Sequence, residues 1–359
     1  LPVGISFYTL QTMSYTIDIY RGKGKRYDSF IDFACYASFF PQLVAGPIVR
    51  SHEFIQQIKD PRDFSVSRFR LGLTLIIYGL VKKVIIADNV AIHVNAIFIE
   101  GTSLDNTALV WWGALCFGIQ IYCDFSGYTD IALGSAHLMG IELPENFRTP
   151  YAATSPRDFW RRWHISLSTW LRDYVYITLG GSRNGPTIMI LALMATMLLG
   201  GLWHGASWNF VIWGFLHGLL LVLNRYISEN SLIIRGFSIY PKFMTSAGWA
   251  TTQFSIFLTW LVFRIEDTSM MTRSMQSFVG IDSYWDLDEL VSTLPEIKLL
   301  TGLFVLFFLI AHFASGYVGG AKYWLARSHP LVWGILCGFS LGLCVLLRPA
   351  ETVDFIYFR

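Results

Sequence analysis

The chain is patterned as long apolar runs separated by short charged stretches. From Asn184 to Asn224 no Asp, Glu, Lys or Arg occurs, and a helix needs about 20 apolar residues to cross a bilayer. Runs of this kind place candidate spans at 1–20, 71–99, 107–124, 187–203, 207–224, 248–264, 299–314 and 331–347. Lys82 and Lys83 interrupt the 71–99 run, which assigns part of it to the membrane interface. Pro41, Gly46 and Pro47, in "FFPQLVAGPIVR", interrupt the 30–48 stretch. Pro removes a helix donor, so this stretch reads as a broken or re-entrant element. The pattern as a whole is that of an all-α polytopic membrane protein, organised as one unit over 1–359 with no internal repeat.

Composition agrees. Of the 359 residues 53% are hydrophobic and 14% charged, against about 25% charged in soluble domains. The 28 Phe, 17 Tyr and 13 Trp suit headgroup-level belts. A net charge of +2 gives no footprint for nucleic acid. The five cysteines fall mostly in apolar runs, without a CxxC pair or a Cys/His metal spacing, and read as small buried hydrophobes. Basic residues gather at 21–26, 50–70 and 148–183 and at Arg225, Arg235 and Lys242, whereas the 99–106 and 265–297 loops are acidic. The positive-inside rule makes the basic loops cytoplasmic and puts residues 204–207 toward the outer side.

Residues 148–178, "RTPYAATSPRDFWRRWHISLSTWLRDYVYIT", differ from the spans. Ser155, Pro156 and Asp158 form a helix start: a capping hydroxyl, Pro at the first position and a carboxylate at the positive end. At 100° per residue, Trp160, Trp163, His164, Leu167, Trp170, Leu171, Tyr174 and Val175 share one arc. Asp158, Arg161, Arg162, Ser166, Thr169, Arg172 and Asp173 share the other. This predicts one amphipathic helix in the cytoplasmic interface. His164, on the apolar arc, is either a structural histidine bonded to a carbonyl or a functional one. The arginines face either anionic headgroups or the phosphates of a cytoplasmic cofactor.

"MLLGGLWHGASWNF", 197–210, places His204 in the longest uncharged run. An ionisable residue there is a functional hypothesis by default, and imidazole titrates near neutrality. Gly200, Gly201 and Gly205 allow close approach, Trp203 and Trp208 offer walls, and Asn209 offers a polar partner. The plainer reading is a histidine at headgroup depth. His217 and His312 read as helix–helix hydrogen bonds. With no GxSxG elbow, Walker loop, HExxH or dinucleotide fingerprint, base chemistry by a buried histidine remains.

"LPVGISFYTLQTMSYTIDIYRG", "PQLVAGPI", "YCDFSGYTDIALG", "LPENFRTPY", "FWRRWHISLSTWLRDYVYITLGG" and "GLWHGASWNFVIWG" together resemble the membrane-bound O-acyltransferases, in the bacterial branch that acetylates exported polysaccharides such as alginate. The resemblance runs from residue 1 to about residue 218. It implies that His204 is the catalytic histidine and His164 the second characteristic one; Trp203, Asn209, Trp163, Arg161 and Asp173 are the neighbouring candidates for lining a tunnel or meeting substrate. It implies a ring of tilted helices around a central tunnel in the bacterial inner membrane, and further hydrophobic segments before residue 1. No permanently bound cofactor is implied. The donor would be acetyl-CoA or another acyl thioester, the acceptor an exported polysaccharide, with a periplasmic acetyltransferase as partner and lipids around. The rival readings are a proton-coupled transporter or flippase, which predicts repeats, and a non-catalytic scaffold of a secretion complex.

Overall fold

The computed structural model describes residues 4–27, 29–60, 63–99, 104–229, 241–293, 298–318, 320–350 and 355. Among these the chain is helical, apart from an isolated bridge between Asn106 and Tyr284. The helices are α1 (Ile5–Tyr20), α2 (Phe30–Ala37), α3 (Ser51–Lys59), α4 (Val66–Leu80), α5 (Asp88–Phe98), α6 (Thr107–Leu138), α7 (Pro156–Trp160), α8 (Ile165–Leu171), α9 (Gly185–His204) and α10 (Trp208–Glu229). There follow α11 (Pro241–Arg264), α12 (Thr268–Phe278), α13 (Leu287–Thr293), α14 (Lys298–Val318), α15 (Ala321–Arg327) and α16 (Pro330–Leu346).

Helix α6 is the axis. Asn106 caps it, its side-chain oxygen accepting from Ala108 N–H at 3.0 Å. At the other end Gly140, at φ 77°, closes it: Gly140 N–H reaches His137 O and Ile141 N–H reaches Ala136 O, the paired bonds of a Schellman stop. Its most apolar 18-residue window is 83% buried within the protein. It therefore runs to Leu138, well past the 107–124 span expected, because Asp124 and Asp130 are buried polar residues and not the end of an apolar run. The corresponding windows of α9 and α10 are 33% and 22% buried, and Leu191, Leu199, Phe215 and Leu223 point outward from them. Helices α14 and α16 likewise expose Leu306, Phe307, Ile335 and Phe339. Apolar side chains facing outward over many turns suit contact with lipid. Helices α6, α9 and α10 are long and apolar enough to cross a membrane, with α14 and α16 as shorter apolar helices.

Helices α4 and α6 cross backbone to backbone. A Cβ on Gly72 would lie 2.8 Å from Gly134 O, and one on Gly127 would lie 2.8 Å from Gly79 O. Two glycines seven residues apart on each helix thus form the seam, the small-residue packing that membrane helices use where no hydrophobic drive exists between them. Beyond α4 the chain continues through a seven-residue π-helical stretch, Val81–Ala87, into α5. The lysines on this stretch turn into the protein, Lys82 buried and Lys83 half-buried. Lys82 pairs with Asp130, and Lys83 with Asp88 and Asp124, both at 2.8 Å. The carboxylates on α5 and α6 make burial of these lysines tolerable, since a buried charge needs a partner.

Residues 30–48 are broken as the prolines predict. Helix α2 ends at Ala37, and Phe40–Gln42 form a single 3₁₀ turn. Cys116, Cys123, Cys337 and Cys344 are buried as expected, and Cys35 is exposed.

Candidate active site

The 148–178 segment does not form one helix. Ser155 caps α7, accepting from Asp158 N–H at 3.1 Å, with Pro156 at the first position. The helix then stops at Trp160. Arg148 N–H donates to Arg162 O at 2.9 Å and Ile165 N–H to Asn146 O at 3.0 Å, so the 141–149 segment takes the Arg162 carbonyl and the Ile165 N–H, two groups that a continuous helix would pair within itself. His164 takes φ 43°, ψ 54°, a left-handed conformation that β-carbon residues adopt at a cost and mostly where function or packing demands it. Helix α8 restarts at Ile165 and passes into a π-helical turn at Arg172–Tyr176.

The break places His164 at the centre of the molecule, 1% exposed. Its ring meets Phe125 edge-on at 4.7 Å, stacks on Phe7 at 6.1 Å and meets Trp203 at 5.9 Å. Nδ1 lies 3.2 Å from Asn146 Oδ1. Ser166, placed on the polar arc by helical periodicity, is buried instead. Its N–H and hydroxyl donate to Asn146 Oδ1 at 3.1 and 2.9 Å, and the hydroxyl accepts from Ile48 N–H at 3.0 Å.

His204 is the last residue of α9. Gly201 and Gly214 let α9 and α10 touch through backbone, and the 205–207 turn folds α10 back on α9. The half-buried His204 ring sits among Trp203 at 5.0 Å, Phe263 at 5.0 Å, Trp213 at 5.2 Å and Phe210 at 5.9 Å. Trp203, held by Phe7 at 5.1 Å and by its Nε1–H to Ser6 O at 3.3 Å, is the shared neighbour of both imidazoles. His204 adjoins the exposed Ala206–Trp208 turn, whereas His164 is sealed within.

The other candidates separate from this pair. Trp163 is buried against Phe159, Phe147 and Trp260 and packs the core behind His164. Asn209 turns its amide N–H₂ to the carbonyls of Ile265 and Glu266, tying α10 to the end of α11. Arg161 is exposed. Asp173 belongs to a polar cluster at the far end of α8, paired with Arg50 at 3.2 Å and Arg172 at 2.7 Å. His217 and His312 are structural, as expected. Trp160 Nε1–H donates to His217 Nδ1 at 3.3 Å. Thr259 spends its hydroxyl proton on Ile256 O, so at 3.1 Å it accepts from His217 Nε2–H. His312 Nε2 accepts from Tyr151 N–H at 3.2 Å.

Two features escaped the sequence reading. One is Asn146, which stood inside the quoted "LPENFRTPY" without being weighed. The other is a polar cavity of about 210 Å³, lined among others by Lys82, Asp130, Lys322, Arg148 and Asn146 itself. Asp130 there pairs with Lys82 on one oxygen and with Lys322, at 3.1 Å, on the other. Charged residues within membrane-depth helices mark functional sites by default. Applied to Lys82 and Asp130, that rule was the available signal. Among the described residues no group of three or more His, Cys, Asp or Glu assembles to hold a metal.

The model of the membrane-bound O-acyltransferase family matches residues 5–233, which takes in both histidines. Curated proteins are similar over most of the chain. A probable alginate O-acetylase of Pseudomonas putida is 40% identical over 321 residues, covering 89% of this chain and 62% of its own length. A peptidoglycan O-acetyltransferase of Helicobacter pylori is 38% identical over 309 residues, covering 79% of this chain and 57% of its own. A teichoic acid D-alanyltransferase of Bacillus subtilis is 28% identical over 238 residues, covering 63% and 60%. The chain thus spans roughly six-tenths of the length of these relatives.

Proposed function

The chain belongs to the membrane-bound O-acyltransferase family, and from that premise we propose that it moves acetyl groups from a cytoplasmic thioester, acetyl-CoA, toward hydroxyls of an exported, alginate-like polysaccharide. One observation carries the reading: His164 and His204 pack against the same indole in apolar surroundings, one sealed in the interior and one beside an exposed turn. That is the arrangement expected where a donor and an acceptor approach from different sides. The relatives' names differ in acceptor and agree in acyl transfer.

In this reading His204, as a neutral imidazole, takes the proton of the acceptor hydroxyl as its oxygen attacks the thioester carbonyl. The carbon–oxygen bond forms, the tetrahedral intermediate collapses, the carbon–sulfur bond breaks, and the thiolate leaves with the proton returned by the imidazolium. General base catalysis of this kind contributes about 10²–10⁴-fold. The walls supplied by Trp203, Trp213, Phe210 and Phe263 keep water from competing for the thioester. His164 holds the donor or receives the acetyl group first. In this reading the basic loops face the bacterial cytoplasm, where the donor is, the protein lies in the inner membrane, and a periplasmic acetyltransferase is the fitting acceptor-side partner.

The test is restoration of polymer acetylation. A strain lacking the protein receives the wild type or His204→Ala, and acetate released by mild base from the exported polysaccharide is measured. The wild type restores it, and His204→Ala at equal membrane level does not. Restoration by both variants removes His204 from the chemistry, and restoration by neither removes the acetyl-transfer reading.

A further inference from the structure

We propose that Asn146 is a positioning residue that fixes the tautomer of His164, so that Nδ1 carries the proton and Nε2 presents its lone pair to the space beside Trp203. Which end of an Asn side chain is oxygen is ordinarily assigned from its partners. Here a backbone N–H, that of Ser166, meets the end facing His164 at 3.1 Å. An N–H only donates, so the atom it meets is the oxygen. The Ser166 hydroxyl, which accepts from Ile48 N–H, turns its own proton to the same oxygen at 2.9 Å. Reversing the amide would set an NH₂ against the N–H.

The oxygen thus fixed lies 3.2 Å from His164 Nδ1. An amide oxygen accepts and cannot donate, so Nδ1 is the protonated nitrogen, and in a neutral imidazole the other nitrogen then holds the lone pair. His164 Nε2 is buried and has no hydrogen-bond partner among the described residues. A buried acceptor left without a donor is destabilising, and the left-handed backbone at His164 adds strain. A site that keeps both is arranged for something other than stability. The second half of Asn146 supports this. Its Nδ2 is likewise buried without a partner among the described residues, and the residue lines the polar cavity with Lys82 and Lys322. One side chain therefore joins the polar cavity to the tautomer of the buried imidazole.

The elements packed around His164 contribute Phe7 from α1, Phe125 from α6, Asn146 and Phe147 from the 141–149 segment, and Trp203 and His204 from α9. His204 is the titratable group among them.

The proposal leans on the acyltransferase reading for its kinetic assay, and a second readout stands without it. Full-length protein in membranes, wild type beside Asn146→Ala, Asn146→Asp and Ser166→Ala, is assayed for acetyl transfer from acetyl-CoA across pH, at matched membrane levels and melting midpoints. Asn146→Ala lowers kcat about tenfold or more with little change in KM. Asn146→Asp keeps the acceptor and restores most of kcat, and its carboxylate moves the acid limb of the pH profile upward by about 1–2 units, as an adjacent opposite charge does. Ser166→Ala, which leaves the Nδ1 acceptor in place, changes kcat by less than about threefold. In parallel, nitrogen-15 spectra of histidine-labelled protein, with His164→Gln to assign the signal, show His164 protonated at Nδ1 in the wild type. That preference is lost in Asn146→Ala. A wild-type signal protonated at Nε2, or an Asn146→Asp profile with its acid limb unmoved, overturns the proposal. A wild type that transfers no acetyl while showing the Nδ1–H signal overturns the acetyl-transfer reading and leaves the tautomer assignment standing.

Discussion

Asp130 serves two cations at once, which makes it the sharpest test of how α6 is held. Its side chain is 6% exposed, that of Lys82 9% and that of Lys322 18%. Replacing Asp130 by Leu leaves the two ammonium groups facing each other across an apolar side chain. Removing one partner of a buried pair costs about 3–5 kcal/mol, because the charge left behind is uncompensated. Lys82 retains the Ser126 hydroxyl at 2.9 Å and the faces of Tyr78 and Tyr122 but no counter-charge among the described residues, while Lys322 has enough exposure to swing toward the cavity mouth. The cost therefore falls mainly on Lys82. At roughly 2 °C per kcal/mol for a large chain, the melting midpoint in detergent should drop by about 5–10 °C. Adding Lys82→Met removes the stranded charge, and the double variant should recover at least half of the loss, a coupling that a double-mutant cycle measures directly. An Asp130→Leu protein that melts with the wild type, or a double variant as unstable as the single one, refutes the claim that the pair is buried and mutually dependent.

Gly127→Leu inserts a side chain where Gly79 O stands 2.8 Å from the site of its Cβ. Overpacking of this kind costs about 1–3 kcal/mol, read as a lower detergent melting midpoint, whereas Gly302→Ala, with open space around it, should leave the midpoint unchanged. His217→Leu leaves the Trp160 indole N–H without its acceptor and should cost about 1–3 kcal/mol of stability. At matched folded protein it should retain acetyl transfer, since His217 is saturated by structural bonds. The hydrogen bond from Arg273 holds the exposed Asp105 carboxyl below its ordinary 3.8. A depressed folded value means that the pair's contribution is present above about 3.8 and is lost as pH falls through the depressed value. Asp105→Asn should thus melt slightly below the wild type at pH 7, with the gap closing in strongly acidic buffer.

What was legible in the sequence was what local chemistry decides. The start of α7 at Ser155 and Pro156 is a capping pattern complete within four residues, and the break at Pro41 follows from a missing donor. The apolar runs at 187–203 and 207–224 needed only composition. His217 as a helix–helix bond followed from its place deep in an apolar run. The misses share one cause. His164 leaves the helix because Arg162 and Ile165 bond to Arg148 and Asn146, residues 14 to 19 positions earlier, and helical periodicity carries no trace of such bonds. Lys82 is buried because Asp130 lies across the α4–α6 seam, and a charge pattern read along the chain sends it to the interface instead. Ser166 changed faces for the same reason as His164. Asn209 was placed near His204 by sequence proximity, but the end of α11 claims its amide. The family resemblance singled out both histidines, but that they meet around Trp203 was not legible in the chain, since 39 residues lie between them.

The central claim is that this chain transfers acetyl groups through His204, and the direct measurement is transfer in isolated membranes. Membranes carrying full-length wild type or His204→Ala at equal levels are given acetyl-CoA labelled in the acetyl group, together with the exported polysaccharide and its periplasmic acetyltransferase, and label on polymer is followed with time. The account predicts label on polymer with the wild type and a rate lower by about 10²-fold or more with His204→Ala. Equal rates from the two proteins would contradict it.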